Sequence, residues 1–319
     1  MRNNIGLLTD VDLDGAGSSI VLRSVYEVNE FERARYAELS AKMDALSANN
    51  ENLIIADLAL EKEQLTTVLK SFKKVQIFDH HERSLEYAKI INTTEKFTGN
   101  ISDKKCSTML AYDYHRQVTG ADIKRLSALV KLINVYDLWL IDNEFFQMAY
   151  DLNVLFWEIG YYDFYDSYKD GFNGFKNDHK NIIKELNDAK EKKLAETPFI
   201  ELESGSAIWI TEDGSLTNDF TLKYPDYKVY YIIRYDGYKG RYVVSLRLRR
   251  FGKWAGKLDL NKAVRDTWER GFISPDMIVS CGGHKEAAGV DFAKNITTDD
   301  IMMIIEAVDK KVTEQHDKV

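Results

Sequence analysis

The sequence predicts an α/β protein with a parallel sheet at the N-terminus, flanking helices, a linker helix and a smaller C-terminal α/β domain. Short apolar runs alternate with segments of helical spacing in the first third of the chain, which is typical of a parallel sheet built from crossover units. A later segment rich in Lys, Glu and Asp has its apolar residues spaced for a helix. Beyond it the periodicity becomes that of β-strands. These observations favour two domains, which suits a length of 319 residues.

The N-terminal elements follow one another in a regular order. We expect buried strands at residues 5–9, 52–56 and 75–78, because each run is apolar and is followed closely by an aspartate. Residues 15–26 begin with GAGSS and predict a helix, and residues 61–72 also have helical spacing.

Two further N-terminal segments have weaker patterns. Between the first two buried strands we expect a strand near residues 33–39, followed by a helix. Residues 106–157 have a mostly helical pattern.

The second half of the chain begins with the charged helix, expected at residues 177–196 and ended by Thr197-Pro198. Residues 228–235 and 241–249 predict two strands around a turn that contains Asp and Gly. The remaining elements are a helix at residues 260–270, a strand at 277–280 and a final helix at 301–312. We therefore place one domain at residues 1–155, a helical linker at 156–200 and a second domain at 201–319.

Composition restricts the classes of function. Hydrophobic residues make up 45% and charged residues 29%, as in ordinary soluble proteins, and no apolar run approaches the roughly 20 residues of a membrane span. The first apolar run is interrupted by Asp10, so it does not predict a secretory signal. Cys106 and Cys281 offer neither a disulfide framework nor a zinc-ligand spacing, and we expect a cytoplasmic protein. A net charge of −8 argues against coating of a long nucleic acid and leaves room for a short anionic substrate.

Asp10, Asp12 and Asp14 alternate with apolar residues directly after the first strand. On an extended segment their side chains would point to one side, and a loop that curls around a cation would use them as well. An EF-hand calcium loop does not fit, because its twelfth position would be Val21 and a strand precedes it. An ordinary acidic turn is the alternative.

More acids and imidazoles follow the other strands. Asp57 ends the second strand, where capping of the next helix is the alternative. Asp79, His80 and His81 follow the third strand, at the sheet edge where open α/β folds bind ligands. The alternative there is a capping aspartate with two surface histidines. Asp137 interrupts an apolar helical stretch, where a buried acid needs a partner.

Several carboxylates and an imidazole that converge at one sheet edge would repel one another unless cations neutralised them. An oxygen-rich set of ligands without thiolates suits manganese or magnesium better than structural zinc. This pattern predicts a two-metal phosphoester hydrolase.

These motifs resemble, in order, those of the DHH phosphoesterases with a DHHA1 C-terminal domain, the group of RecJ-type exonucleases and nanoRNA-degrading phosphodiesterases. The N-terminal motifs are DVDLDGAGS, IADLAL, DHH and VYDLW. Near the C-terminus, GGHKEAAG at residues 282–289 matches the glycine-rich DHHA1 signature, and SLR at 245–247 matches its arginine-bearing strand. The resemblance covers nearly the whole chain and implies a DHH catalytic domain, a DHHA1 substrate-binding domain and an active site in the cleft between them.

Residue by residue, the resemblance implies two divalent metal ions, with Mn²⁺ favoured and Mg²⁺ as the alternative. One ion would be held by Asp10, Asp12 and Asp57, and the other by Asp14, the bridging Asp57, His80 and Asp137. His81 would contact the scissile phosphate, and Asp79 would support the imidazoles. The nucleophile would be a hydroxide activated by both metals.

In the C-terminal domain the resemblance implies four residues that bind substrate: Arg247, Gly282, Gly283 and His284. A tight strand-to-helix turn is the alternative for the glycines, and a charged edge strand is the alternative for the basic residues. Arg249 shares the strand face of Arg247, and Arg250, Lys253 and Lys257 extend the basic patch. His115, His179 and His316 are expected on the surface.

The chain departs from the family pattern at two positions. Asp10 stands where nanoRNA-type members commonly carry His, and Cys281 stands where many DHHA1 domains have another glycine. The aromatic segment at residues 156–175 is expected to pack between domains or to provide surfaces for base stacking.

The resemblance therefore implies a manganese-dependent phosphodiesterase that removes nucleoside monophosphates from short RNA or DNA oligonucleotides. The alternatives are a cyclic-(di)nucleotide phosphodiesterase, a pAp phosphatase, a RecJ-like single-strand exonuclease and a non-catalytic nucleotide-binding regulator. A family-II pyrophosphatase fits less well, because the glycine-rich motif is of DHHA1 type. The expected partner is a short oligonucleotide or nucleotide, without a membrane, and the expected state is a monomer or homodimer.

Overall fold

A computed structural model describes the fold for residues 4–91, 95–224, 226–249, 253–269, 274–283 and 285–316. The chain divides into two compact units, Met1–Lys184 and Glu185–Val319. The division into residues 1–155, 156–200 and 201–319 stays a prediction.

The first unit contains a five-stranded parallel sheet in the order β2-β1-β3-β4-β5. Its strands are β1 (Ile5–Thr9), β2 (Glu30–Arg33), β3 (Asn52–Ala56), β4 (Lys74–Asp79) and β5 (Phe97–Ile101). Leu7, Leu8, Ile55 and Phe78 on the central strands are completely buried, which explains their apolar runs. The strand order reverses between β1 and β3, and open sheets of this kind bind ligands at the carboxyl ends of the strands beside such a reversal.

Helices surround this sheet. They are α1 (Leu13–Arg23), α2 (Leu39–Asn49), α3 (Lys62–Ser71), α4 (Glu82–Ile91), α5 (Ser107–Tyr114), α6 (Ser127–Asp137), α7 (Phe146–Tyr168) and α8 (Asn177–Glu196), the last of which continues into the second unit. Helix α7 is broken at Gly160, whose φ of +75° is left-handed.

Most N-terminal elements confirm the sequence prediction, but the strand expected at residues 33–39 is wrong. Strand β2 ends at Arg33, a 3₁₀ turn follows at Tyr36–Glu38, and α2 begins at Leu39. The strand EFER is fixed by parallel pairing with β1, in which Phe31 lies opposite Leu7. Its own sequence carries a single apolar residue, so periodicity does not reveal it.

The second unit contains a six-stranded mixed sheet in the order β10-β11-β9-β8-β7-β6. Its strands are β6 (Phe199–Glu201), β7 (Ala207–Ile210), β8 (Tyr230–Asp236), β9 (Arg241–Arg247), β10 (Ile278–Gly283) and β11 (Ala287–Phe292). Strands β7 and β8 are parallel, and the other neighbouring pairs are antiparallel. The helices are α9 (Asp219–Lys223), α10 (Leu260–Glu269) and α11 (Thr298–His316).

Both faces of this second sheet are apolar. Tyr231 and Ile233 of β8 belong to one core cluster together with residues of α10 and α11, whereas Tyr230 and Ile232 pack with Trp209 on the other face. The predicted strands, turn and helices of this half are confirmed, with shifts of a few residues at their ends. In the described part of the chain, every helix is too short or too polar to cross a membrane.

Candidate metal centre

The loop after β1 carries three predicted ligands directly into helix α1. Asp12 is the N-cap residue of α1, and its carboxylate accepts a hydrogen bond from the Gly15 backbone N–H at 2.9 Å. Because the helix begins at Leu13, the segment from Asp10 to Asp14 is not extended, and of the two conformations that the sequence left open the chain adopts the curled loop. A Cβ on Gly15 would lie 2.2 Å from the Asp10 carbonyl oxygen, so this tight passage requires glycine.

Asp14 lies in the first turn of α1 and is buried. Its carboxylate accepts hydrogen bonds from the backbone N–H groups of Ser107 at 2.7 Å and Thr108 at 2.9 Å. These N–H groups belong to the first turn of α5, where unpaired donors and the helix dipole favour an anion. The fold therefore fixes the orientation of the Asp14 carboxylate.

Asp57 follows β3 and is buried in a left-handed conformation with a φ of +63°. Its carboxylate accepts a hydrogen bond from the Ser107 hydroxyl at 3.2 Å. Such a backbone costs on the order of 1–3 kcal/mol and is common at functional sites. Helix α3 begins at Lys62 with Glu61 as its N-cap, so Asp57 does not cap it.

His80 brings three acids together. Its Nε2 lies 3.3 Å from Asp57 Oδ1 and 4.0 Å from Asp14 Oδ2, and its Nδ1 lies 3.6 Å from Asp137 Oδ2. Asp137 is the last residue of α6. The His80 side chain is 17% exposed, which does not fit the alternative of a surface histidine.

Asp79 is completely buried at the end of β4 and orients His81. Its carboxylate accepts hydrogen bonds from His81 Nδ1 at 2.7 Å, from the His80 backbone N–H at 2.9 Å and from the Ser84 hydroxyl. Burial by itself would lower the pKa of His81, but the hydrogen bond to Asp79 and the surrounding acids raise it above its ordinary value. With Nδ1 directed at Asp79, Nε2 is the nitrogen through which a protonated His81 can donate to a ligand.

Three acids of this cluster, Asp10, Asp12 and Asp57, hold their protons more tightly than free aspartates do. Burial and the charge of Asp12 raise the pKa of Asp10 to about 6. Burial and Asp14 raise the pKa of Asp12, and burial with the charges of Asp14 and Asp12 raises the pKa of Asp57 well above its ordinary value. Burial lowers the pKa of His80, which favours its neutral, metal-binding form. A divalent cation would take the place of the protons that this cluster otherwise retains.

The donor atoms fit hard divalent cations. Within the described residues, two groups bring three ligand atoms within 4.8 Å of one another: Asp57 with His80 and His81, and Asp14 with His80 and Asp137. Oxygen donors with imidazole and without thiolate suit Mn²⁺ or Mg²⁺. Neither group includes Asp10 or Asp12, although a hydrogen bond joins the carboxyl groups of Asp12 and Asp57.

No family model matches the chain, and no curated protein matches it. Solved structures do match. The DHH domain of a protein assigned to a family of ribosomal proteins has a TM-score of 0.63 at 15% identity and covers 97% of this chain and 87% of its own. The pGpG-specific phosphodiesterase PggH from Vibrio cholerae has a TM-score of 0.61 at 11% identity, over 98% of this chain and 100% of its own.

RecJ from Thermus thermophilus in complex with Mn²⁺ has a TM-score of 0.60 at 11% identity, over 97% of this chain and 52% of its own. The chain therefore has a DHH/DHHA1 fold. The resemblance seen in the motifs is confirmed at the level of the fold, because the likeness extends through both units.

In the DHHA1-type part of this fold, the predicted substrate residues Arg247, Gly282 and Gly283 lie at one end of the mixed sheet. Arg247 is the last residue of β9, and it donates from Nε to Asn218 Oδ1 at 3.1 Å and from Nη1 to the Leu246 carbonyl at 2.9 Å. Burial lowers the pKa of Arg247. Its guanidinium is therefore already engaged by the protein.

The predicted glycines end strand β10, and the turn after them leads to strand β11 rather than to a helix, so the strand-to-helix alternative is wrong. A Cβ on Gly283 would lie 2.3 Å from the Ala287 carbonyl oxygen, so close backbone approach already explains this glycine. Gly282 faces open space. His284 and Arg250 lie outside the described residues.

Two histidines expected on the surface are buried, and that prediction is wrong. His115 is completely buried among the rings of Tyr26, Phe78 and Tyr114. His179 is 6% exposed, and its Nδ1 lies 3.0 Å from the Tyr168 hydroxyl. The side chain of His316 lies outside the described residues.

Sequence reasoning missed Arg33, which lies beside the acidic loop at the end of β2. The guanidinium donates to the Val11 carbonyl and lies 4.5 Å from the centre of the Tyr161 ring. Burial lowers the pKa of Arg33, against the charges of Asp12 and Asp10. Arg33 therefore braces the backbone between two predicted ligands, and the sequence carries no signal for this role, because periodicity does not reveal the strand that Arg33 ends.

Proposed function

We propose that this protein is a divalent-metal-dependent phosphodiesterase that hydrolyses short oligonucleotides to nucleoside monophosphates. The observation that carries the proposal is the convergence of Asp14, Asp57, His80 and Asp137 at the point where the strand order of the parallel sheet reverses. These residues come from four distant segments of the sequence, so their meeting is a property of the fold and not of local composition.

We propose the metal ligands as the resemblance implies them: Asp10, Asp12 and Asp57 for one ion, and Asp14, Asp57, His80 and Asp137 for the other. When bound, two such ions lower the pKa of a shared water and neutralise charge on phosphoryl oxygens. Two divalent cations would offset four of the five ligand carboxylates, and a protonated His81 would offset its partner Asp79, so that the site stays near neutrality and an anionic substrate is not strongly repelled.

His81 is proposed to contact the scissile phosphate. Its Nδ1 is held by Asp79, and the raised pKa of His81 favours the imidazolium form. A donor that is fixed before the substrate arrives stabilises the charge that develops on a phosphoryl or leaving oxygen. Asp79 acts as a positioning residue, because it determines which ring nitrogen faces the substrate.

A short substrate is supported by two observations. The fold matches the pGpG-specific phosphodiesterase PggH over the full length of that protein. The net charge of −8 disfavours a long anionic strand, which needs a wide basic surface. For the second unit we propose Arg247, Gly282, Gly283 and His284 as substrate residues, and we propose a cytoplasmic enzyme whose partner is the short oligonucleotide itself.

The test is a comparison of substrates with Mn²⁺ present: a 5′-phosphorylated dinucleotide, pAp, a cyclic dinucleotide and a 5′-labelled 24-nucleotide single strand. We expect the dinucleotide to be cleaved to mononucleotides with the highest kcat/KM, and chelation of the metal to abolish cleavage. A higher kcat/KM for the long strand would contradict the short-substrate proposal in favour of a RecJ-like exonuclease. Absence of cleavage of all four would contradict the enzymatic proposal.

A further inference from the structure

A cavity of about 200 Å³ opens beside the proposed metal ligands, within the first unit. Its walls combine two kinds of residue: the acids Asp12, Asp14 and Asp137, and the side chains of Leu13, Ile133, Tyr136, Asn153 and Trp157. One ligand could therefore place a charged group beside the acids and a flat group beside the aromatic side chains of the same cavity.

Trp157 is the wall residue that the fold itself does not explain. Most aromatic rings of α7 are buried, among them Phe156 and Phe164, whereas the Trp157 side chain is 57% exposed. The indole is held by an edge-to-face contact with Phe156, with ring centres 5.2 Å apart. An indole that is braced on one side and exposed toward a cavity provides a stacking surface for a planar ligand.

Asn153 stands four residues before Trp157 on α7, so the two side chains lie on the same face of the helix, and the polar groups beside the indole have a fixed arrangement. Asn153 Nδ2 donates to the Tyr136 hydroxyl at 2.8 Å, which orients the amide toward its neighbour on α6. Tyr136 also packs edge-to-face against Trp139, with ring centres 5.6 Å apart. An amide beside an aromatic surface is the combination that reads the hydrogen-bonding edge of a stacked base.

We propose that this cavity is a nucleobase subsite, in which the base of the nucleotide that carries the scissile phosphate stacks on Trp157 while Asn153 faces its polar edge. The inference rests on the proposed function, because the acids place the phosphate end of the ligand. A lipid or purely apolar ligand fits less well, because three of the wall residues are carboxylates.

Binding of 5′-AMP and of ribose 5-phosphate to the Mn²⁺-loaded protein, measured by calorimetry, tests the subsite without any need for turnover. We expect wild type to bind 5′-AMP more tightly, and Trp157→Ala to weaken 5′-AMP binding by about tenfold or more while leaving ribose 5-phosphate unchanged. Trp157→Phe, which keeps a ring, should retain most of the affinity. The matched control is Tyr162→Ala, because Tyr162 is an 81% exposed ring of the same helix that does not line the cavity.

Equal binding of 5′-AMP by wild type and Trp157→Ala would overturn the subsite, and so would an equal loss of both ligands, which would indicate damage to the acidic cluster. With a dinucleotide substrate, Trp157→Ala should raise KM and leave kcat nearly unchanged. If wild type cleaves no oligonucleotide but the selective loss of 5′-AMP binding persists, the proposed function fails and the subsite stands. If cleavage occurs and Trp157→Ala has a normal KM, the subsite alone fails.

Discussion

The carboxyl edge of the parallel sheet and the Arg247 end of the mixed sheet contain charged residues in opposite situations. At the first, burial and mutual repulsion raise the pKa of Asp10, Asp12 and Asp57. At the second, Arg247 donates to an amide oxygen and to backbone carbonyls of its own sheet. The acidic region has several like charges that repel one another, so a bound cation would stabilise it. In the second region the guanidinium of Arg247 already donates hydrogen bonds to the protein, so it does not need a ligand.

This difference ranks the predicted sites by physical evidence rather than by residue type. Both regions were assigned from motifs of the same family resemblance, yet the structure supports a ligand at the acidic edge more strongly. The same holds for Gly283. The close approach of the Ala287 carbonyl oxygen already requires a glycine there, so this residue by itself is no evidence for a bound substrate.

Asp57→Asn tests the acidic region and should have the largest effect. Asn tolerates the left-handed φ of +63°, so the backbone should persist, but its amide lacks the charge that a divalent cation needs. We expect Mn²⁺-dependent hydrolysis to fall by at least about a thousandfold. Mn²⁺ should also lose most of its ability to raise the melting temperature, which thermal unfolding with and without the metal measures.

The control for this experiment is Asp103→Asn, an exposed aspartate of the same unit. It should keep both the activity and the effect of Mn²⁺ on stability. Without metal, Asp57→Asn should be at least as stable as wild type, because one acid of a repulsive cluster is removed. Retention of hydrolysis and of stabilisation by Mn²⁺ in Asp57→Asn would show that the cluster is not the metal site.

The acidic edge was predictable because each apolar run that forms a central strand ends at its chemistry-bearing residues. Asp57 follows β3 and Asp79 is the last residue of β4, and the carboxyl ends of parallel strands meet at one edge. The sequence left an extended segment and a curled loop open for Asp10 to Asp14, because the choice depends on capping of α1 by Asp12 and on the close approach of Gly15.

Contacts between distant segments set the limit of the sequence analysis. Arg33 meets the acidic loop through pairing of an edge strand whose own pattern is weak, and Trp157 reaches the cavity through the path of α7. Burial of His115 had a local signal, since it stands four residues after the buried Ala111 on the continuing helical path.

Arg247→Ala tests the second region and should have an intermediate effect. If Arg247 binds phosphate in addition to bracing its sheet, KM for a dinucleotide should rise by about tenfold with kcat little changed. Steady-state kinetics and urea unfolding of the same variant separate the two roles. The comparison variant is Asn218→Ala, which removes the brace at Nε and keeps the guanidinium.

A loss of stability in Arg247→Ala with an unaltered kcat/KM would assign Arg247 to the sheet alone. An equal loss of stability in Arg247→Ala and Asn218→Ala, without any change in KM, would mean that only the acidic region binds a ligand. A rise in KM confined to Arg247→Ala would mean that both regions bind one.

His115→Phe tests whether a shifted pKa alone identifies a functional residue, and it should have the smallest effect on activity. Burial lowers the pKa of His115 to about 4, and neither ring nitrogen has a hydrogen-bond partner in the described part of the chain.

Between pH 6.5 and about 4, His115 is protonated in the unfolded chain and neutral in the folded protein. The free energy of unfolding should therefore fall by up to about 1.4 kcal/mol per pH unit as the pH drops. Phe fits the aromatic surroundings and removes this dependence, so plots of the free energy of unfolding against pH, obtained from urea unfolding, should run parallel above about pH 7 and should shift in favour of His115→Phe as the pH falls below about 6.5. Because His115 stands apart from the acidic cluster, hydrolysis at neutral pH should stay unchanged. Parallel curves at all pH values would mean that His115 keeps an ordinary pKa in the folded state, and a loss of activity at neutral pH would make it part of the site.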